Sequence, residues 1–356
     1  MRWSRPALTA LVLASTLLLS GCWDIKDISD RSPVIAMGFD YLAQDHWRVS
    51  IVEALLAQGG TASYTGAIHY GDGPTLVEAI EDLRTHLARR LYLGSTKIFV
   101  FGKGVLGGRL TEPLLLLLQS SEVDRTAFAV GTSGTALGLL SHPDGAMGLT
   151  GVRLLKEFES EPESRDGHFK EPLWKTIWGV LDRSDTMRIP MFDNLPQTSV
   201  RASGTALVSQ GTLRTLLDRE ESVSLRWLSN LRGRNVVTLP APYDAYVLKA
   251  TKVVPTTRYD GKARRITVHV AADLEVYSGP AMKLDSTLMQ QLSQVAADEM
   301  LRRILSVTRK MQAADADGAH WHQVALEAGY SDFDLRRTTV AVRVTARITP
   351  QFSPSL

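Results

Sequence analysis

YVLKATKVVPTTRYDGKARRITVHVAADLEVY, residues 246–277, decides the fold. Residues 246–258 and 263–277 are rich in β-branched and aromatic side chains and flank Asp260-Gly261, a dipeptide that tolerates positive φ at both turn positions. The segment is therefore predicted to be a long β-hairpin. Residues 285–312 follow, with Leu288, Leu292, Ala296, Met300, Ile304, Val307 and Met311 recurring at steps of three and four. That spacing predicts one helix about 40 Å long with a single apolar stripe. Such a stripe needs a sheet or another helix to cover it, and residues 338–349, alternating around Val340, Val342, Val344, Ala346 and Ile348, supply a last strand.

Upstream of the hairpin, residues 200–208 and 213–217 form a second predicted hairpin around Gln210-Gly211, and residues 221–231 a short amphipathic helix. Breaks are expected at 239–242 and at 188–198, which carries Pro190 and Pro196. In the first half, residues 34–40 and 46–56 read as strands and 58–74, rich in Gly, Thr, Ser and Tyr, as a loop. A capping box at Thr75 and Glu78 then opens a helix whose expected apolar face is Val77, Ile80, Leu83, Leu87 and Leu91. A strand at 97–101, a helix at 110–119, a strand at 127–131 and broken helix from 136 to 184, including 152–158 and 173–181, complete an α/β layer. The fold class is α+β and multi-domain, with mixed or antiparallel sheets each packed with helices and the long C-terminal helix against a curved sheet. The expected organisation is an N-terminal α/β domain at 34–193 and a C-terminal α+β region at 198–350. The latter divides near 240 into a small β-rich part and a sheet plus long-helix part.

The N-terminus carries a different signal. Arg2 and Arg5 precede an uncharged apolar run from Pro6 to Ser20, which ends in Leu17-Leu18-Leu19-Ser20-Gly21-Cys22. A basic start, a short apolar segment and small residues before a cysteine make residues 1–21 a signal peptide, too short for a membrane span of about 20 residues. Cys22 is the only cysteine, so no disulfide can form within the chain. The motif is similar to the lipobox of bacterial lipoproteins, which implies that Cys22 is diacylated and becomes the first mature residue, with 22–33 as a lipidated tether. Arg2 and Arg5 account for the formal charge of +2, so the remainder is neutral and nothing in it argues for nucleic acid. Hydrophobic content of 44% with 22% charged residues is that of a globular body.

Gly102-Lys103-Gly104-Val105-Leu106-Gly107 matches the dinucleotide-binding spacing. However, no acidic residue ends the next strand, Pro113 falls inside or close to the helix that should follow, and one strand-helix-strand unit stands alone. His320 and His322, two apart, are expected on different helix faces with no carboxylate cluster near, so no metal set is read. Gly131-Thr132-Ser133-Gly134 lacks the nucleophile-elbow spacing. Glu161 with Glu163 and Asp315 with Asp317 read as solvated surface. No catalytic residue, cofactor or metal is expected.

Gly21-Cys22-Trp23-Asp24-Ile25-Lys26-Asp27-Ile28 followed by Val34-Ile35-Ala36-Met37-Gly38-Phe39-Asp40 resembles the mature start of Ger(x)C spore germination lipoproteins. Glu78-Ala79-Ile80, Leu87-Ala88-Arg89-Arg90-Leu91-Tyr92-Leu93-Gly94, Lys97-Ile98-Phe99-Val100-Phe101-Gly102, Glu122-Val123-Asp124-Arg125 and Gly204-Thr205-Ala206-Leu207 extend the likeness along nearly the whole chain. Residues 314–330 depart from it, with Asp315-Ala316-Asp317-Gly318-Ala319 in place of an Asp-x-Phe-Gly-like segment. The resemblance implies the C subunit of a nutrient germinant receptor: a non-enzymatic lipoprotein on the outer face of the spore inner membrane, beside two integral membrane subunits. Trp23-Asp24 and Arg89-Arg90-Leu91-Tyr92 are read as local fold determinants. A solute-binding lipoprotein of a transporter is the alternative, and a lipid-anchored oxidoreductase comes third.

Overall fold

The computed structural model describes residues 31–43, 45–56, 64–144, 148–159, 169–182, 185–194, 200–229, 235–280 and 285–349; Cys22 and residues 1–30 lie outside them. The described residues begin with β1 (Arg31–Leu42), β2 (His46–Leu56), β3 (Tyr64–Gly73), α1 (Leu76–Thr85), β4 (Arg90–Tyr92), β5 (Ile98–Phe101), α2 (Lys103–Leu106) and α3 (Thr111–Gln119). Next come β6 (Phe128–Gly131), α4 (Ala136–Leu140), β7 (Pro143–Asp144), β8 (Gly148–Leu149), α5 (Thr150–Glu159), α6 (Leu173–Leu181), β9 (Thr186–Asn194), β10 (Val200–Ser209) and β11 (Thr212–Asp218). The last part holds α7 (Arg219–Leu228), β12 (Asn235–Thr238), β13 (Val247–Asp260), β14 (Arg265–Ser278), α8 (Ser286–Ala314), α9 (Trp321–Glu327) and β15 (Thr339–Thr349).

A nine-stranded sheet runs β11-β10-β9-β6-β5-β1-β2-β3, with β4 also paired to β1. The central strands β1, β5, β6 and β9 are mutually parallel, and antiparallel strands extend the sheet on both sides. Parallel strands must be covered on both faces, and β5 meets that demand by being apolar throughout. Phe99 and Phe101 enter one core, with Leu83 of α1, Leu106 of α2, Leu114 of α3 and Leu173 of α6. Ile98 and Val100 enter the opposite core, with Leu139 of α4 and Leu154 of α5.

The second sheet runs β12-β13-β14-β15, antiparallel except for the parallel pair β14 and β15 that α8 connects. Alternate residues of β14 are buried, Ile266, Val268, Val270, Ala272, Leu274 and Val276, so only one face is covered. Leu292, Ala296, Met300, Ile304, Val307 and Met311 of the 29-residue α8 cover it, as the spacing predicted. The α+β class is the observed one.

Four expectations change. Residues 64–73, read as part of a loop, form β3, because Gly71 and Gly73 serve helix packing. A Cβ on Gly71 would lie 2.1 Å from Leu83 N, and one on Gly73 2.6 Å from Ala79 N. The capping box of α1 forms, with Thr75 Oγ1 accepting from Glu78 N at 3.2 Å and the Glu78 carboxylate accepting from Thr75 N at 3.1 Å. The buried face is rotated to Leu76, Ala79, Ile80 and Leu83, while Val77 is 59% exposed and Leu91 belongs to β4. Asp260 pairs with Arg265, and the positive φ falls on Arg264, at 45°, instead of on the Asp-Gly pair. Gly261 is needed for the Tyr330 ring, which lies 2.1 Å from its Cβ position. Finally, the stretch around Pro190 is strand β9, with Pro190 opposite Thr205, so the sheet continues past the break read there. Among the described residues β9 meets β6 at the single pair Gly131 and Met191, a sparse ladder that can hold a proline.

Gly71→Ala is expected to destabilise the fold by about 1–3 kcal/mol, since α1 must lift from β3 to admit a methyl group. Urea denaturation followed by far-UV circular dichroism measures it.

Candidate functional site

Gly102 faces Asp40, whose Oδ1 would be 2.0 Å from an added Cβ. That carboxylate accepts from Ala136 N at 2.6 Å and Leu137 N at 3.0 Å, the start of α4. Burial pushes the Asp40 carboxyl up, and the Leu137 and Ala136 amides and the charge of Arg48 only partly pull it back. Gly104 lets the Tyr41 carbonyl approach to 2.0 Å of its Cβ position. The glycine run is thus filled by its own β1, and the helix after it has four residues. Ser133 donates its hydroxyl to Asp193 Oδ1 at 2.7 Å, so this turn after β6 is clamped to β9. Glu161 and Glu163 fall outside the described residues.

The chemistry-bearing residues converge instead on the seam between the two sheets. Arg188 of β9 is 7% exposed. Its Nε donates to Glu171 Oε1 at 2.8 Å, Nη2 donates to the same carboxylate, and Nη1 donates to Ser229 Oγ at 3.1 Å and the Gly318 carbonyl at 3.2 Å. The guanidinium also lies 4.8 Å from the Phe169 ring centre. One side chain therefore joins β9, the segment before α6, the end of α7 and the loop after α8.

Three residues before Arg188 stands Asp185, and two after Gly318 stands His320. His320 Nδ1 is 2.7 Å from Asp185 Oδ1. His322 Nδ1 is 3.0 Å from Asp317 Oδ2, which also accepts from His322 N at 2.7 Å. This overturns two readings. His320 precedes α9 with a left-handed backbone, φ 56°, so the two histidines do not follow helical spacing, and their ring centres are 6.0 Å apart. Asp317 is 7% exposed instead of solvated, while Asp315 caps α8 in a left-handed conformation. Asp185, His320 and His322 together offer ligand atoms within 4.8 Å of one another.

The charges shape one another. Burial works against the Asp185 carboxylate, but the His320 hydrogen bond, the charges of His320 and His322 and the Thr186 amide outweigh it and hold the carboxyl below its usual range. Burial likewise pulls the His322 imidazole down, and Asp317, Asp185 and Asp182 more than offset it, so its pKa is raised. A cavity of about 330 Å³ opens beside Asp185 and His320, lined also by Glu171, Trp174, Lys175 and Trp178. Trp174 and Trp178 are 48% and 60% exposed on α6. The spacing of residues 173–181 signals the helix but not its outward aromatic face. The seam itself joins residues 130 and 135 apart in the chain and leaves no local signature.

Arg188→Met is expected to lower the unfolding free energy by about 3–5 kcal/mol, because the half-buried Glu171 loses its counter-charge; adding Glu171→Leu should recover part of it. Urea titration of tryptophan fluorescence reads both variants. A second expectation concerns pH. Lys97 and Thr126 hold the Asp124 carboxyl down at about 2, from an ordinary 3.8. A lowered carboxylate pKa contributes stability that is present above the unfolded value and is lost as pH falls through the folded one. Asp124→Asn should therefore cost about 1 kcal/mol or less near neutrality, the exposed pair being screened, and match the parent once pH falls from 3.8 to about 2. Melting temperature against pH tests this.

Residues 24–192 match the family described as spore germination protein N-terminal domain, and residues 203–349 match spore germination B3/GerAC-like, C-terminal. Spore germination protein KC of Bacillus subtilis (strain 168) is 22% identical over 353 residues, covering 87% of this chain and 84% of that protein. The crystal structure of the GerBC protein superposes with a TM-score of 0.55 at 11% identity, covering 88% of this chain and 96% of that one, which establishes a shared fold. With both of its halves matched in order, the chain belongs to the GerAC family of spore germination proteins, the C subunits of germinant receptors.

Proposed function

We propose that this chain is the lipid-anchored, non-enzymatic C subunit of a nutrient germinant receptor. Diacylated Cys22 holds it to the outer face of the spore inner membrane, and contacts with two integral membrane subunits trigger germination. The observation that carries the reading is the place where the family match begins. It starts at residue 24, two residues after the lipobox cysteine, so the germination-protein body follows the acylation point directly. Among the described residues no helix is long and apolar enough to cross a membrane. Two acyl chains supply the anchor: each buried methylene contributes about 0.8 kcal/mol, and a single chain binds only reversibly. Confinement to the membrane plane raises the effective concentration of partner surfaces, so modest contacts suffice.

The solute-binding alternative requires two similar lobes around a cleft. A nine-stranded sheet covered on both faces and a four-stranded sheet covered on one are dissimilar units, which disfavours it. The test compares the tagged full-length chain with Cys22→Ala in spores. The parent is expected in the membrane fraction, bringing two multi-spanning proteins in steady ratio when captured in mild detergent. The variant is expected to be released and to germinate poorly. A variant that stays membrane-bound and germinates normally overturns the anchor, and capture of a permease with an ATPase overturns the receptor reading in favour of solute binding.

A further inference from the structure

We propose that Asp185, His320 and His322 form a binding site for one divalent transition-metal ion of the zinc class. Two imidazole nitrogens and one carboxylate oxygen are the protein ligands, and a fourth position opens to the cavity beside α6. The three residues come from two distant stretches, the entry to β9 and the start of α9, yet their candidate ligand atoms lie within 4.8 Å of one another. A tetrahedral ion with ligands at about 2.0–2.1 Å holds them roughly 3.3 Å apart, so side-chain movements on the order of 1 Å close the set.

A second, independent feature supports the assignment. Asp317 Oδ2 holds both the backbone N and Nδ1 of His322, at 2.7 and 3.0 Å. With Nδ1 committed to a carboxylate, Nε2 is the ring's free coordinating atom; this is the outer-shell arrangement that orients metal-bound imidazoles and raises their basicity. The other Asp317 oxygen, Oδ1, is buried and has no hydrogen-bond partner among the described residues. An unpartnered buried carboxylate oxygen is costly in a neutral surround. It is tolerated where a net positive charge sits close by, as a bound dication beside His322 would provide.

The donor set selects the ion. Two imidazoles and one carboxylate suit zinc, nickel, cobalt or ferrous iron, whereas calcium and magnesium take oxygen ligands almost exclusively. Three protein ligands with an open fourth position are the coordination of a site that can exchange a ligand, and the cavity of about 330 Å³ lined by Asp185 and His320 provides the space. Lys175 also lines that cavity, so an anionic fourth ligand would meet a compensating charge.

The experiment uses the full-length chain in detergent, stripped with a chelator and dialysed. Zn²⁺ alone is titrated by calorimetry, and Co²⁺ alone by visible absorption. One equivalent of Zn²⁺ should bind and raise the melting temperature, Mg²⁺ should not compete, and Co²⁺ should show the intense visible bands of a four-coordinate ion. His320→Asn keeps a residue that tolerates the left-handed backbone and removes the imidazole, so it should weaken Zn²⁺ at least about tenfold with its metal-free melting temperature held. Asp317→Asn should weaken it about 10–100-fold, and His69→Asn, in β3, should leave it unchanged. Absence of saturable Zn²⁺ binding, or equal affinity in the parent and His320→Asn, overturns the site. Should His320→Asn lose its fold, the parent's Co²⁺ spectrum decides alone, weak six-coordinate bands overturning the proposal. None of these readings depends on lipid or partner subunits, so the metal site and the receptor reading stand or fall separately.

Discussion

A single buried guanidinium ties β9 of the large sheet to the end of α7 and the loop after α8, the helices that pack on the small sheet. Taking Arg188 out of water costs several kcal/mol, and the cost is offset only because every face of the group is engaged. Glu171 supplies the counter-charge, Ser229 and the Gly318 carbonyl take the outer N–H groups, and Phe169 offers its ring face. Those partners belong to three separate stretches of chain, so satisfying one side chain fixes three backbones against β9. The loop after α8 is one of them, and its position against β9 brings His320 over Asp185. Gly318 takes part for a steric reason as well, because a Cβ there would lie 2.9 Å from Leu207 Cδ2 and 3.1 Å from Leu225 Cδ2.

The hairpin β10–β11 is the other half of that junction. Ala206 and Val208 face the core of the large sheet, while Leu207 and Leu217 face the core that α8 shares with the small one. A strand whose alternate residues feed two cores cannot be assigned to either half. Asp218 at its end caps α7 through a reciprocal capping box with Glu221. Glu221 in turn takes the ammonium of Lys310 from α8 at 2.6 Å. The family matches meet between residues 192 and 203, and β9 and β10, which flank that point, pair with each other in one sheet.

What was legible in the sequence follows from how local the responsible physics is. The α8 stripe, the capping box at Thr75 and the turn at Gln210-Gly211 are set by residues a few positions apart, and each forms as read. Gly71 and Gly73 misled because glycine signals both a turn and a close helix approach, and only the tertiary partner, α1, distinguishes them. The Asp260-Gly261 pair misled in a related way. Asp260 Oδ1 accepts from Lys262 N and Ala263 N at 3.0 and 3.1 Å, which draws the turn one register beyond the dipeptide. The Asp185, His320 and His322 cluster was invisible because its geometry depends on a left-handed residue before α9 and on a strand entry far away in sequence.

The motifs that carry the family likeness do mostly structural work. Glu78 caps a helix, Arg90–Tyr92 form β4 alongside β1, Lys97 pairs with Asp124, and a Cβ on Gly204 would strike the Leu217 carbonyl at 1.9 Å. At such positions the backbone or a counter-charge permits few alternatives. The same argument separates framework from function. Tryptophans 48% and 60% exposed on α6 contribute little to the core that Leu173 and Ile177 of the same helix already fill. A left-handed histidine facing an aspartate likewise answers to no packing demand of α9. These side chains gather around one seam and one cavity.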